Sequence, residues 1–260
     1  MESVKKAVDE IANGLTKAAG DEAKPANQNT QKAAKKEKKK PAAAADELDP
    51  KPEFIKKRDD LFNTLWERQQ EELAKKPRED ITVTGADGKE IKQKSGESWK
   101  SWESSPAKIA ADISPSLLKR TVVAEVDGVL WDLKRPLEKS CKLRLLDFSD
   151  PEAKKVFWHS SAHILGEACE RRFGCSLCIG PPVEDGFYYE MSLPDGAPVQ
   201  TEDWAPIERI VGKITKEKQD FQRLEVSKDD LLRMFDYNRF KQHIIKDKIP
   251  DGTRTTVYKN

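Results

Sequence analysis

The order of strands and turns between positions 78 and 148 constrains the fold of this chain more than any other feature. Two short runs containing β-branched residues flank residues 85–88, a glycine- and aspartate-rich stretch that is typical of a hairpin turn. Ser105 then caps a short helix whose first residue is proline. A second hairpin turns at Asp127 and Gly128, and an alternating strand closes the segment. This order predicts an α+β domain of the ubiquitin-like β-grasp type.

The sequence before this domain divides into two regions of different composition. Residues 1–49 are rich in Lys and Ala and contain few large apolar residues, which predicts a disordered basic extension. Residues 50–77 are bounded by proline and place Phe and Leu at approximate helical spacing. We therefore expect an amphipathic helix over 53–75 that leads into the β-grasp domain. Its apolar stripe is expected to pack on this chain or on a partner helix.

The sequence after the β-grasp segment predicts a second α+β domain over residues 149–260. A capping aspartate followed by proline begins a helix expected over 151–173. A strand is expected over 186–191, and a second long helix over about 202–220, where isoleucine and valine recur at helical spacing. Ser227 caps a third helix, with an aspartate three residues later.

Composition indicates a water-soluble protein of the cytosol. Charged residues make up 36% of the chain, and no apolar run approaches the roughly 18 residues of a membrane span. The first residues form no secretory signal. Four cysteines in 260 residues are too few for a disulfide framework, so we expect reduced thiols, no membrane partner and a cytoplasmic location.

The net charge of +1 conceals a basic cluster near the N-terminus. Residues 1–45 hold ten Lys against six Asp and Glu, and six of these Lys lie within residues 32–40. Such a cluster suits salt-sensitive contact with RNA phosphates. It also suits a solvated, disordered tail or a nuclear localisation patch, and the sequence leaves these alternatives open.

A pair of histidines is the strongest chemical signal in the sequence. His159 and His163 lie four residues apart on a predicted helix, so their imidazoles share one face, and Glu167 continues the row. The spacing suits a metal ion, a shared water or a polar substrate group, and equally a structural pair at a domain boundary. Cys175 and Cys178 follow closely and admit a zinc site, although a long helix before an apolar strand suits small buried thiols better.

A longer run around the histidines is similar to a known family. Residues 158–191, WHSSAHILGEACERRFGCSLCIGPPVEDGFYYEM, resemble the editing domain of threonyl-tRNA synthetases of the eukaryotic cytoplasmic type. Residues 127–148, DGVLWDLKRPLEKSCKLRLLDF, resemble the TGS domain that precedes it. The lead-in KPEFIKKRDDLF and the later FDYNRFKQHI also fit, so the resemblance covers about residues 50–260.

The resemblance implies a role in accurate protein synthesis. Members of the family attach threonine to tRNA using ATP, and their editing domain hydrolyses serine that has been wrongly esterified to this tRNA. A site built for threonine rejects serine weakly, because one methyl group is worth only ~1–3 kcal/mol. A second site that excludes the methyl group hydrolyses the serine ester.

The resemblance also assigns candidate catalytic residues one by one. The histidine pair of the family falls on His159, expected to contact the terminal ribose or position water, and on His163, expected to support it. The editing tyrosine falls on Tyr189, where the alternative is a strand residue with a structural role. The editing lysine falls on Lys241, which would stabilise negative charge on the tetrahedral carbon.

Other parts of the family's machinery are expected beyond Asn260. They are a cysteine-containing motif of the form CRGPH, the ATP-binding core with its zinc, and the anticodon-binding domain. The expectation is an N-terminal fragment or a shortened paralogue with an incomplete editing domain and no aminoacylation activity. No cofactor is expected in this chain, and ATP, magnesium and zinc are expected only for the missing core.

The expected partner is threonine tRNA, with its 3′ end at the editing domain, and a homodimer is a candidate assembly of the full-length parent. Two alternatives from other classes stay open. One is a non-catalytic adaptor that binds RNA or a synthetase partner. The other is a metal-dependent hydrolase built on the HxxxH spacing.

Overall fold

A computed structural model describes residues 46–184 and 186–260 of the chain. The predicted basic cluster at 32–40 and most of the predicted extension lie outside the described residues. The described part is α+β, as predicted, and none of its helices is both long and apolar enough to cross a membrane.

The β-grasp segment forms a four-stranded sheet whose strand order is β2 (Val83–Thr84), β6 (Cys141–Asp147), β4 (Thr121–Val126) and β5 (Val129–Trp131). Strands β2 and β6 are parallel although they lie far apart in sequence, and the chain between them contains a short strand, two short helices and the hairpin of β4 and β5. The elements are β1 Asp80–Ile81, β2 Val83–Thr84, β3 Trp99–Lys100, α2 Pro106–Ile113, α3 Pro115–Arg120, β4 Thr121–Val126, β5 Val129–Trp131 and β6 Cys141–Asp147. Ile109 of α2 is fully buried against the sheet and forms its core with Val83 and Leu143.

The two predicted hairpins of this segment differ in how regular they are. The second forms as expected, because Asp127 and Gly128 both adopt the positive φ angles that a tight hairpin turn requires. The first is reduced to a bridge between Thr84 and Glu90, and β1 pairs with β3 instead. Two hydrogen bonds of the expected hairpin remain, from the Gly85 N–H to the Lys89 carbonyl and from the Ile91 N–H to the Val83 carbonyl, both at 2.8 Å. The buried indole of Trp99 donates a further hydrogen bond to the Ile91 carbonyl at 2.7 Å.

The second segment is built on the long helix α4, Pro151–Phe173. The Asp150 side chain caps its first turn and Gly174 ends it in the left-handed conformation, so the predicted bounds are confirmed. The other elements are β7 Ser176–Leu177, β8 Pro182–Val183, β9 Gly186–Phe187, β10 Met191–Ser192, a 3₁₀ turn Thr201–Asp203, α5 Trp204–Glu217, β11 Gln222–Ser227, α6 Lys228–Met234, α7 Arg239–Lys248 and β12 Arg254–Lys259.

The strand predicted over 186–191 is broken in the structure. Residues 186–187 pair with β8, whereas β10 pairs with β7, so the chain leaves one two-stranded ladder and joins another. Tyr189 lies in the connection between them, and its ring turns toward the protein interior. The break between the two ladders therefore lets the Tyr189 side chain point toward the protein interior.

The N-terminal helix α1, Glu53–Ala74, packs on the second segment rather than on the β-grasp domain that follows it in sequence. Phe62 is 2% exposed and lies among apolar side chains of β11, α6 and α7. The Gln69 side chain bonds the backbone of Arg223 and Glu225 at 3.0 and 2.8 Å, which covers the edge of β11. The expected packing on this chain is confirmed, and the helix belongs structurally with residues 149–260.

Residues 46–49 also differ from the prediction that they belong to a disordered extension. The Asp46 carboxylate forms a salt bridge with Arg209 of α5 at 2.7 Å, and Glu47 pairs with Lys213 at 2.8 Å. The Leu48 backbone N–H donates to the Arg171 carbonyl at 2.8 Å. These contacts attach the segment to the C-terminal end of α4 and to the middle of α5.

A buried ion pair connects α1 to α4. The Arg58 guanidinium donates to both carboxylate oxygens of Glu170 at 2.8 Å and to the Tyr237 hydroxyl at 2.8 Å. The Glu170 side chain is only 5% exposed and that of Arg58 is 22% exposed. Because neither charge is well solvated, each depends on the other for compensation.

We predict that Arg58→Ala lowers the free energy of unfolding by about 3–5 kcal/mol, because it leaves the Glu170 carboxylate buried without its partner. Urea denaturation measures this change. Lys56→Ala is the matched control, since Lys56 pairs with Asp60 on the same helix but both side chains are exposed. The control is expected to cost far less, because water screens an exposed ion pair. Equal losses in the two variants would contradict the account.

Candidate functional site

A cavity of about 140 Å³ lies where α1, α4, the connection before α7, and β12 meet. Three of the four predicted site residues line it: His163, Tyr189 and Lys241. Its volume suits a small group rather than a whole macromolecule. The sequence-based prediction therefore selected residues that the fold brings together, although their elements are far apart along the chain.

The histidine pair lies at one side of this cavity. The ring centroids of His159 and His163 are 5.1 Å apart, as expected one helical turn apart. His163 lines the cavity, whereas His159 is exposed and lies one turn beyond the lining residues. His159 is therefore accessible to a large ligand approaching from solvent.

The environment of His163 favours the neutral imidazole. Burial lowers its pKa to about 4, with smaller contributions from His159 and from the ammonium of Lys241. The pKa of His159 is also lowered, first by the loss of hydration where protein atoms surround the ring and then by the charge of Lys241. A neutral imidazole both donates and accepts a hydrogen bond, so His163 is suited to orienting a water molecule at neutral pH.

Lys241 is placed by the cap of helix α7. The fully buried Asn238 accepts hydrogen bonds from the backbone N–H groups of Phe240 and Lys241 at 3.1 and 3.0 Å. Its side-chain amide donates to the Leu177 carbonyl at 2.8 Å, which ties the helix to β7. Asn238 therefore fixes the first turn of α7, the turn that contributes Lys241 to the cavity.

The Lys241 side chain has no ionic partner. Among residues 46–184 and 186–260 its Nζ forms no salt bridge and donates no hydrogen bond; it lies 6.0 Å from the centroid of the Phe235 ring, and the side chain is half-buried. Burial lowers its pKa and outweighs the opposing attraction of Glu170, whose charge is already engaged by Arg58. An unpaired cation in a cavity is suited to an anionic or strongly polarised group of a ligand.

Tyr189 fits a slot formed by two glycines. A β-carbon at Gly166 of α4 would lie 2.8 Å from its ring, and one at Gly180 would lie 2.7 Å from it. Any larger residue at either position would displace the ring, so these glycines define where it lies. Burial, followed by the charge of Glu170, raises the pKa of Tyr189, so the hydroxyl stays protonated.

Several residues of the site were missed by the sequence-based prediction. Arg58, Glu170, Tyr237 and Asn238 all line the cavity. Arg58 lies in the lead-in segment KPEFIKKRDDLF, where the family resemblance was noted but no role was assigned. Its distance from Glu170 in sequence, 112 residues, explains why no local pattern reveals the pair.

Among the described residues, the ligands that the zinc alternative requires do not come together. In the described ranges no group of three or more His, Cys, Asp or Glu is arranged to hold a metal ion. Glu167, which continues the histidine row, forms a salt bridge with Arg171 at 2.6 Å and accepts hydrogen bonds from Gln219 and Asn260. Cys175 is buried, and burial raises the pKa of its thiol, as suits a small apolar residue.

We predict that the protein loses stability as the pH falls from 6.5 towards 4. The unfolded chain protonates His163 near its ordinary pKa of 6.5, whereas folded His163 resists protonation until about 4. The unfolded state therefore binds more protons in this window. Urea denaturation of His163→Gln at about pH 7 and about pH 5 should show a smaller loss than the wild type.

His243→Gln is the control for this measurement, because His243 is exposed on α7. Its variant should lose stability with falling pH as steeply as the wild type does. An equally steep loss in His163→Gln would show that His163 is not held neutral by the fold.

Comparison with known proteins identifies the β-grasp segment and the chain around it. Residues 81–147 match the model of the TGS domain. The chain is 49% identical over 216 residues to threonine–tRNA ligase 1, cytoplasmic, of Mus musculus, which covers 82% of this chain and 29% of that protein. It is 42% identical over 238 residues to the cytoplasmic threonine–tRNA ligase of Saccharomyces cerevisiae, covering 86% of the chain and 32% of that protein.

A third relative agrees with these two. The cytoplasmic threonine–tRNA ligase of Caenorhabditis elegans is 45% identical over 220 residues, with 85% of this chain and 29% of that protein covered. The chain thus spans about three tenths of the length of the relatives it matches, 29–32%. Over this matched region, the chain belongs to the cytoplasmic threonine–tRNA ligases of eukaryotes.

Proposed function

We propose that residues 149–260, together with helix α1, form the editing domain of a threonine–tRNA ligase. The domain would bind the aminoacylated 3′ end of threonine tRNA and take part in hydrolysing serine wrongly attached to it. The observation that carries the proposal is that Lys241, which has no ionic partner among the described residues, and His163, whose imidazole burial keeps neutral, line one small cavity. This combination suits a reaction in which a neutral ester passes through a negatively charged intermediate.

In the proposed reaction, a water molecule attacks the carbonyl carbon of the seryl ester. The carbonyl π electrons move to its oxygen, and the Lys241 ammonium stabilises the resulting oxyanion of the tetrahedral intermediate. The intermediate then collapses, the bond from carbon to the ribose oxygen breaks, and that oxygen leaves with a proton. Serine and a tRNA with a free terminal hydroxyl are the products, so the proton given up by the water is the one that the ribose receives.

The two histidines take different positions in this proposal. His159, exposed at the edge of the cavity, contacts the terminal ribose. His163, inside the cavity and neutral at physiological pH, supports it and orients the water. The tRNA itself stays in solvent outside, because the cavity of about 140 Å³ accommodates only its aminoacyl end.

Tyr189 and the glycines around it supply selectivity in the proposal. The Tyr189 ring is held between Gly166 and Gly180, so the wall that it forms does not yield easily to an additional methyl group. Excluding one methyl group separates serine from threonine by ~1–3 kcal/mol. The cavity would therefore admit the seryl ester and disfavour the threonyl ester.

Binding of a stable analogue tests the proposal without relying on turnover. We predict that the 260-residue chain binds 3′-seryl-amino-3′-deoxyadenosine, whose amide replaces the ester, and binds the threonyl analogue about tenfold or more weakly. Lys241→Ala should weaken binding of the seryl analogue roughly 10- to 100-fold, because it removes a hydrogen bond from a charged donor. Isothermal titration calorimetry measures all three affinities.

Lys246→Ala is the matched control, since Lys246 lies on the same helix but is exposed and outside the cavity lining. It should bind the seryl analogue as the wild type does. The opposite result is that the chain binds RNA with the same affinity whether or not the RNA carries a seryl group, and that Lys241→Ala binds it equally well. This result would favour the adaptor alternative and contradict the proposal.

A further inference from the structure

An exposed aromatic ring stands beside the histidine pair. Phe221 lies in the connection between α5 and β11 and is 37% exposed. Its ring centroid is 6.1 Å from that of His163, with the two rings at 84° to each other. Phe221 thus contacts a residue that lines the cavity, while about a third of its surface faces solvent.

The two residues that precede Phe221 bind other parts of the protein. The Gln219 side chain donates to Glu167 of α4 at 3.1 Å, and Asp220 forms a salt bridge with Lys134 of the β-grasp domain at 2.5 Å. Lys218 ends α5 in the left-handed conformation, which turns the chain sharply at this point. The ring is therefore presented to solvent by anchored neighbours rather than by a loose loop.

An exposed phenylalanine in such a place has no role in the described hydrophobic clusters. Phe221 is not a member of any of the clusters that form the cores around α1, α4 or the β-grasp sheet. Exposing a large apolar ring forgoes the free energy that burial would provide. A planar ring that is anchored, exposed and next to a polar site is suited to stacking on another planar group.

We propose that Phe221 is the stacking platform for the base of the terminal nucleotide, an inference that rests on the proposed function. When the aminoacylated ribose oxygen lies at the histidine pair, the base lies one sugar ring away, outside the cavity. Phe221 is an exposed aromatic side chain in ring contact with His163. Base–aromatic stacking contributes binding energy without reading sequence, which suits a terminus common to many RNAs.

Two ligands separate the contribution of the base from that of the aminoacyl group. One is 3′-seryl-amino-3′-deoxyadenosine, and the other is the same seryl amide on a ribose that carries hydrogen in place of the base. We expect Phe221→Ala to weaken the first ligand roughly 5- to 100-fold and to leave the affinity of the second unchanged. Phe221→Tyr, which keeps the ring, should bind both ligands as the wild type does.

Trp204→Ala is the control, because Trp204 is an aromatic residue at the start of α5 that is 62% exposed and lies outside the cavity lining. It should leave both affinities unchanged. Equal weakening of both ligands by Phe221→Ala, or no weakening of either, would overturn the stacking role while leaving the proposed function intact. Failure of the wild type to bind either ligand would overturn the proposed function, and the stacking role with it.

Discussion

The geometry of the candidate site depends on the buried ion pair between Arg58 and Glu170. Arg58 comes from α1, Glu170 from the last turns of α4, and the Tyr237 hydroxyl that joins them from the segment before α7. Three elements, of which the first is separated from the other two by the β-grasp domain, are therefore held together at one point. Such a pair is a weak source of net stability but is costly to break, so its main effect is to fix how these elements are arranged.

The same pair determines the electrostatics of the cavity. Because Glu170 is already neutralised by Arg58, it does not form a salt bridge with Lys241, although its charge acts to raise the lysine pKa. Burial outweighs this attraction and lowers the Lys241 pKa, and the side chain, without an ionic partner among the described residues, is left to interact with a ligand. The same crowded environment keeps His163 neutral. The ion pair thus leaves the Lys241 side chain without an ionic partner in the cavity that the neutral imidazole of His163 also lines, and the proposed ester hydrolysis rests on these two groups.

Local chemistry made part of this structure predictable from the sequence. The ends of α4 follow from a capping aspartate and a left-handed glycine, and the β-grasp order follows from its turns. Three of the predicted site residues line the cavity. Family resemblance, rather than sequence spacing alone, identifies them. Contacts between distant residues left no such pattern: the docking of α1 on β11, and the role of Arg58, depend on tertiary packing. The broken strand at Tyr189 likewise reflects the space that two glycines provide.

The most direct test of the central claim is nuclear magnetic resonance of the imidazole groups during titration with 3′-seryl-amino-3′-deoxyadenosine. The chain has three histidines, so each signal can be assigned by substitution, and His243 on the exposed face of α7 serves as an internal control. The account predicts that the signals of His159 and His163 shift with saturation while that of His243 stays in place. Saturable binding that leaves the His159 and His163 signals unchanged would contradict it.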